Sequence, residues 1–197
     1  AQQAGGKDVY LTEETFAPAI GAGLDISKPD GVMVIDIGGG TTDIAVLTMN
    51  GVATSSSLKI AGDAFDEAIA RFIRRKHDIV IGQTTAEDVK IQIGCLYPRP
   101  EDISMVIRGR DAKTGTPREA RILSSDLYPT LNRMGRQIAD EGLALLDKLY
   151  GKLIALFKVI RAVKDAAVGD GSKPCQILVD RLNVLVILLG RVGIVIT

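Results

Sequence analysis

Residues 32–51, VMVIDIGGGTTDIAVLTMNG, constrain this chain more than any other stretch. An apolar strand, Val32–Ile37, delivers Asp36 to a loop of three glycines, Gly38, Gly39 and Gly40, and two threonines, Thr41 and Thr42. A second strand, Asp43–Met49, runs to an Asn50-Gly51 turn, the strongest short hairpin signal available, and Val52–Ile60 reads as a third strand. Glycines let successive backbone N–H groups crowd around an anion, because no Cβ stands in the way. A carboxylate just before such a loop can hold the metal that accompanies a polyphosphate. Strand–loop–strand differs from the strand–loop–helix setting of Rossmann and P-loop sites, which disfavours both. A glycine triplet alone is a plain tight turn. Here carboxylate, glycines, hydroxyls and a second carboxylate at Asp43 lie together between two strands.

The rest of the chain alternates helices and strands. Val9–Leu11 reads as a short strand, followed by a helix carrying Phe16 and Ile20 with Pro18 in its first turn. After Gly62 a helix from about Asp63 to Lys76 places Phe65, Ile69, Phe72 and Ile73 at helical spacing. Thr84 and Glu87 form a capping-box pattern at the start of the next helix, which closes near Gly94. Ile103–Arg108 and Arg118–Leu123 alternate like the strands of a hairpin. Ser125 is placed to cap a long helix with Pro129 in its first turn and Leu127, Leu131, Met134, Ile138, Leu145 and Leu149 along one stripe. A separate amphipathic stretch is expected over 151–168, then a flexible link over 169–174. The end, 182–197, reads as one or two buried strands, too short and charged for a membrane span.

Composition excludes several function classes. The 197 residues are 46% apolar, enough for a real core in one or two domains. Lys/Arg and Asp/Glu balance at 24 each, so no net charge draws the chain to nucleic acid. Arg74, Arg75, Arg108, Arg110 and Arg118 are scattered, without the interleaved aromatics of a nucleic-acid groove. Residues 150–197 carry seven Lys/Arg against three Asp, a surplus of +4 that residues 1–149 offset. Cys95 and Cys175 are far apart and His77 is the only histidine, which argues against a zinc site. Sparse thiols suit a reducing cytoplasm. His77, behind Arg74-Arg75-Lys76, is expected on a solvated surface. The chain opens Ala1-Gln2-Gln3 with no signal peptide and reads as the edge of a longer protein.

The strand–GGGTT–strand unit resembles the second phosphate loop of the actin, sugar kinase and heat-shock-chaperone ATPase superfamily. EETFAPAIGAG (13–23), VIDIGGGTTDIAVL (34–47), AGDAFDEAI (61–69), RRKHDIVIGQTTAEDVKIQIG (74–94) and RGRDAKTGTPR (108–118) together resemble the MreB family of bacterial actins, over about residues 1–149. The resemblance implies an α/β, ribonuclease-H-like fold: one half of a two-domain ATPase with a small inserted subdomain. Residues 1–62 and 122–149 would form the core, 63–121 the insertion, and 150–197 a tail in which the expected third glycine-rich loop is not found.

The same resemblance implies ATP with Mg²⁺. Asp36 would hold the magnesium water shell, and the amides of Gly38, Gly39 and Gly40 with the hydroxyls of Thr41 and Thr42 the β/γ phosphates. Glu14 would position the attacking water, where the family usually shows Glu-Glu-Pro and this chain has Glu13-Glu14-Thr15; Thr41 could help orient that water. Gly62 and Asp63 would close on the nucleoside from one side. From the other would come the helix segment Ala86, Glu87, Asp88, Val89 and Lys90, with Glu87 and Lys90 on one face. The family function is a filament-forming ATPase that organises cell shape and wall synthesis in the cytoplasm, at the inner face of the membrane. Its partners are further copies of itself and membrane proteins of cell-shape or wall synthesis. With the first and third loops unrecognised, this chain alone is expected to be inactive. The rivals are a non-hydrolysing interaction module and a sugar or carboxylate kinase of the same superfamily.

Overall fold

The computed structural model describes residues 2–10, 12–29, 31–167 and 193–196. The chain divides into two compact units: residues 1–36, 43–56 and 145–197 form one, and 37–42 with 57–144 the other. The expected flexible link at 169–174 and most of the apolar end lie outside the described residues.

A four-stranded sheet of order β3-β2-β1-β7 organises the first unit, with β1 Val32–Ile37, β2 Thr42–Thr48, β3 Gly51–Leu58 and β7 Gly193–Ile196. The short links between β1, β2 and β3 require antiparallel neighbours, whereas β7 runs parallel to β1 with Val32 opposite Gly193 and Ile35 opposite Ile196. The sheet is therefore mixed, with the sequence-distant strand beside β1. Met33–Ile35 and Ile44–Leu47 are all buried, which is why these strands read as continuous apolar runs. On one face Val34, Ala45 and Leu47 pack with Ala19 of α1, Phe16–Gly21, and with Leu24 and Ile26.

The second hairpin turns one residue earlier than expected. Met49 and Asn50 carry the positive φ values, 50° and 57°, and Gly51 already begins β3. The N–H groups of Met49 and Asn50 donate to the carbonyls of Lys28 and Ile26, at 3.1 and 2.8 Å, fixing the turn against the 24–29 loop. Val9 and Tyr10 are exposed and in no strand, so the short strand expected there is not formed at these residues.

The second unit packs α2 (Gly62–His77), α3 (Gln83–Ile93) and the first part of α4 with an antiparallel sheet of order β4-β5-β6. These strands are β4 Ile79–Val80, β5 Ser104–Asp111 and β6 Pro117–Leu123. Ile69, Ile73, Val89, Ile107, Ile122 and Leu127 share its core. The α2 helix ends at Asp78, whose left-handed φ of 55° turns the chain into β4. His77 is half-buried rather than solvated, and its Nε2 has no hydrogen-bond partner.

Two expected helix starts are corrected. The α3 helix begins at Gln83 behind an extended Gly82, so Thr84 is already helical and no side-chain cap forms with Glu87. For α4, Ser124–Ala167, the cap is not Ser125 but Asp102. The Asp102 carboxylate accepts the Ser125 hydroxyl at 2.7 Å, and the Ser124 hydroxyl and Ser125 N–H at 2.9 Å each. The Ser125 hydroxyl first, then the other two, hold its pKa below the ordinary 3.8. Pro129 falls in the second turn of this helix, which continues through Gly151 as one element of 44 residues instead of two. No helix of the described residues is long and apolar enough to cross a membrane.

Candidate functional site

The loop after β1 is short and tied down by main-chain bonds. Gly38 N–H donates to the Thr41 carbonyl at 3.0 Å, closing the tip over Gly39 and Gly40. The carbonyls of Gly38 and Gly39 accept the N–H groups of Gly62 and Asp63, at 3.0 and 2.9 Å. Those are the first residues of α2, whose opening N–H groups have no partner inside the helix. The loop thus caps α2 in place of Ala61, which has no side-chain acceptor at the N-cap position.

The loop glycines do not serve a left-handed backbone, because none of the three has a positive φ. Close approach accounts for two glycines: a Cβ on Gly38 would stand 3.3 Å from the Thr41 oxygen, and one on Gly62 3.3 Å from the Gly38 oxygen. A Cβ on Gly40 would meet nothing within 4 Å. The fold itself does not call for glycine there.

The two threonines differ. Thr42 is completely buried and its Oγ1 donates to the Ile60 carbonyl at 2.6 Å, so its hydroxyl braces β2 instead of facing a phosphate. Thr41 is exposed.

A cavity of about 700 Å³ lies in the second unit, a size that suits a small-molecule ligand. Gly38, Gly39, Gly62, Asp63, Glu87 and Lys90 all line it, with Phe65, Leu96 and Leu131 as apolar wall. Helical periodicity sorts the 86–90 segment. Ala86 and Val89 turn into the core with Ile93, while Glu87 and Lys90 face the cavity. Asp88 is exposed and does not line it.

Three polar lining residues carry no role in the sequence reading: Asp66, Gln83 and Cys95. Gln83 Nε2 lies 3.5 Å from Asp63 Oδ1, and Cys95 Sγ donates to the Ser124 carbonyl at 3.6 Å. Lys90 Nζ donates to Asp66 Oδ2 at 3.0 Å and also contacts Oδ1 at 2.9 Å. A signal for Asp66 exists: it falls on the buried α2 stripe at 66, 69 and 73, where an acid has no reason to sit unless paired.

Asp36 and Glu14 belong to the first unit. Asp36 is half-buried near the end of β1. Among the described residues no group of three His, Cys, Asp or Glu could hold a metal. A single carboxylate still fits Mg²⁺, which keeps several waters and takes its other ligands from phosphate. Glu14 is exposed in the turn before α1, where its carbonyl accepts the Ala17 N–H at 3.2 Å.

The family model described as MreB/Mbl protein matches residues 1–171, beyond the 149 at which the recognised likeness ended. The cell shape-determining protein Mbl of Bacillus cereus is 44% identical over 155 residues, covering 79% of this chain and 46% of that protein. Cell shape-determining protein MreB of Escherichia coli is 48% identical over 131 residues, 66% of this chain and 38% of that one. The chain thus spans about half, or less, of the curated relatives it matches. MreB 5 of Spiroplasma citri, solved bound to AMPPNP, superposes with a TM-score of 0.71 at 41% identity, covering 76% of this chain and 46% of that chain. The MamK double helical filament shares the fold, with a TM-score of 0.54 at 24% identity over 69% of this chain and 40% of that one. With its mixed sheet, its strand–loop–strand unit and these relatives, the chain belongs to the MreB/Mbl family of actin-like, cell shape-determining proteins.

Proposed function

We propose that this chain is one half of a filament-forming ATPase that organises cell shape, and that ATP with Mg²⁺ occupies the cavity of its second unit. One observation carries the reading: residues from three separate segments, Gly38-Gly39, Gly62-Asp63 and Glu87 with Lys90, line a single cavity. Its support from a relative is that MreB 5 of Spiroplasma citri has been solved with both AMPPNP and ADP.

In this reading the amides of Gly38, Gly39 and Gly40 and the Thr41 hydroxyl hold the β/γ phosphates. Asp36 orients the magnesium water shell, and Mg²⁺ itself supplies neutralisation of phosphate charge. Gly62, Asp63, Glu87 and Lys90 hold the nucleoside, with Ala86, Asp88 and Val89 framing that helix turn. Glu14 orients the attacking water. Residues 1–62 and 122–149 act as core, 63–121 as inserted subdomain and 150–197 as tail. Assembly partners are further copies of the chain's full-length protein, with membrane proteins of wall synthesis beyond them, at the cytoplasmic face of the membrane.

Of three nucleotide loops only one is recognisable, so the cleft that excludes water is incomplete in this chain. Calorimetry with Mg-ATP and a phosphate-release assay test the reading. Weak saturable binding with negligible turnover is expected. Micromolar affinity with steady turnover would overturn the half-site reading, and absence of any binding would overturn the nucleotide reading.

A further inference from the structure

Asp66 is the only buried charged side chain among the described residues, 4% exposed on α2. It stands one helical turn beyond Gly62, on the stripe with Ile69 and Ile73. Lys90 reaches it from α3. The same Nζ contacts both carboxylate oxygens and lies 3.4 Å from the Gly62 carbonyl. An uncharged pair of similar size would stabilise this packing as well or better, so stability alone does not account for the ion pair. Two facts point elsewhere: both residues line the cavity, and the lysine side chain keeps 26% exposure.

We infer that Asp66 is a positioning residue for the cavity, holding the Lys90 ammonium against the Gly62 carbonyl so that its remaining donor meets the ligand. An ammonium has three donors, and two are committed here. The carboxylate also cancels the lysine's charge. The pair therefore offers an oriented hydrogen bond rather than a positive field, and recognises a hydroxyl or other neutral acceptor of the nucleoside, leaving the phosphates to the glycine loop. This rests on the nucleotide reading above.

The test titrates the chain and its Asp66→Asn, Lys90→Met and doubly substituted variants with Mg-ATP and with magnesium inorganic triphosphate, by ligand-observed NMR. Thermal melts confirm the fold of each. Loss of one oriented charge-assisted hydrogen bond predicts about tenfold weaker Mg-ATP binding in each single variant. Triphosphate binding should stay unchanged, and the double variant should be no weaker than either single one, because both act through one contact. Wild-type Mg-ATP affinity in Asp66→Asn, multiplying losses, or equal weakening of both probes would overturn the inference. If Asp66→Asn alone melts below the assay temperature, the double variant, which buries no charge, decides between the same outcomes. Absence of saturable Mg-ATP binding by the unaltered chain would instead defeat the nucleotide reading, and the inference with it.

Discussion

Replacing Thr42 with valine removes one hydroxyl, keeps the volume and suits a strand. The hydroxyl is fully buried and donates to the Ile60 carbonyl at 2.6 Å, just before α2 begins at Gly62. Valine leaves that carbonyl without its side-chain donor, which costs about 1–3 kcal/mol for a buried group. Better strand propensity returns a few tenths, so about 1–2 kcal/mol remains. With a urea m-value of about 2 kcal/mol/M, the midpoint should fall by about 0.5–1 M. Urea unfolding followed by circular dichroism measures it. Below the transition Mg-ATP binding should stay within about threefold of the original, since the group braces the strand (tenfold would be 1.4 kcal/mol). Thr41→Val should instead weaken Mg-ATP binding. An unshifted midpoint in Thr42→Val together with lost nucleotide binding would refute the division of labour between the two threonines.

Other predictions follow from the same coordinates. A Cβ on Gly109 would stand 2.5 Å from the Val80 oxygen and Ile79 Cγ2, so Gly109→Ala should force β4 from β5 and cost about 1–3 kcal/mol in chemical denaturation. Asp102 and Asp111 both have depressed pKa values, the latter through the N–H groups of Thr114 and Lys113 and then Arg118. Their stabilisation is fully present above the ordinary 3.8 and fades as pH falls through the lower folded values. Thermal melts should therefore show an acid limb that Asp102→Asn flattens, and an unaltered limb would contradict the capping role. Gly40→Ala should leave thermal stability intact, since its Cβ meets nothing, while weakening Mg-ATP binding. With both ATPase halves present, Asp36→Ala should abolish magnesium-dependent hydrolysis. Glu14→Ala should slow it by about 10²–10⁴-fold with binding retained, and unaltered turnover would reject the Glu14 role.

Much of the fold was legible because its signals are local and agree with one another. The strand–loop–strand unit, the α2 stripe and the β5–β6 hairpin all stand where periodicity places them. The misses have local causes. A capping-box pattern at Thr84 lost to the extended Gly82 two residues earlier, and the cap of α4 came from Asp102, distant in sequence. Gly151 did not break α4, because a lone glycine costs only about 1 kcal/mol among good helix formers. At the candidate site the resemblance named the segments, but not which side chains face the cavity. Period-two alternation could not have separated the threonines, because Ile44–Leu47 are buried on both faces of β2. The place of Asp66 on the α2 stripe with Ile69 and Ile73 signals a paired acid, but its partner on α3 is not legible from local sequence.

The most direct test of the nucleotide cavity is a backbone-amide NMR titration of the isotopically labelled chain with Mg-ATP. Saturable shifts are expected at Gly38–Thr41, Gly62-Asp63 and the Gln83–Lys90 turn, strongest at the loop glycines, with ADP affecting the same amides. A folded chain whose shifts stay unchanged to millimolar Mg-ATP, or move only outside those three segments, would contradict it.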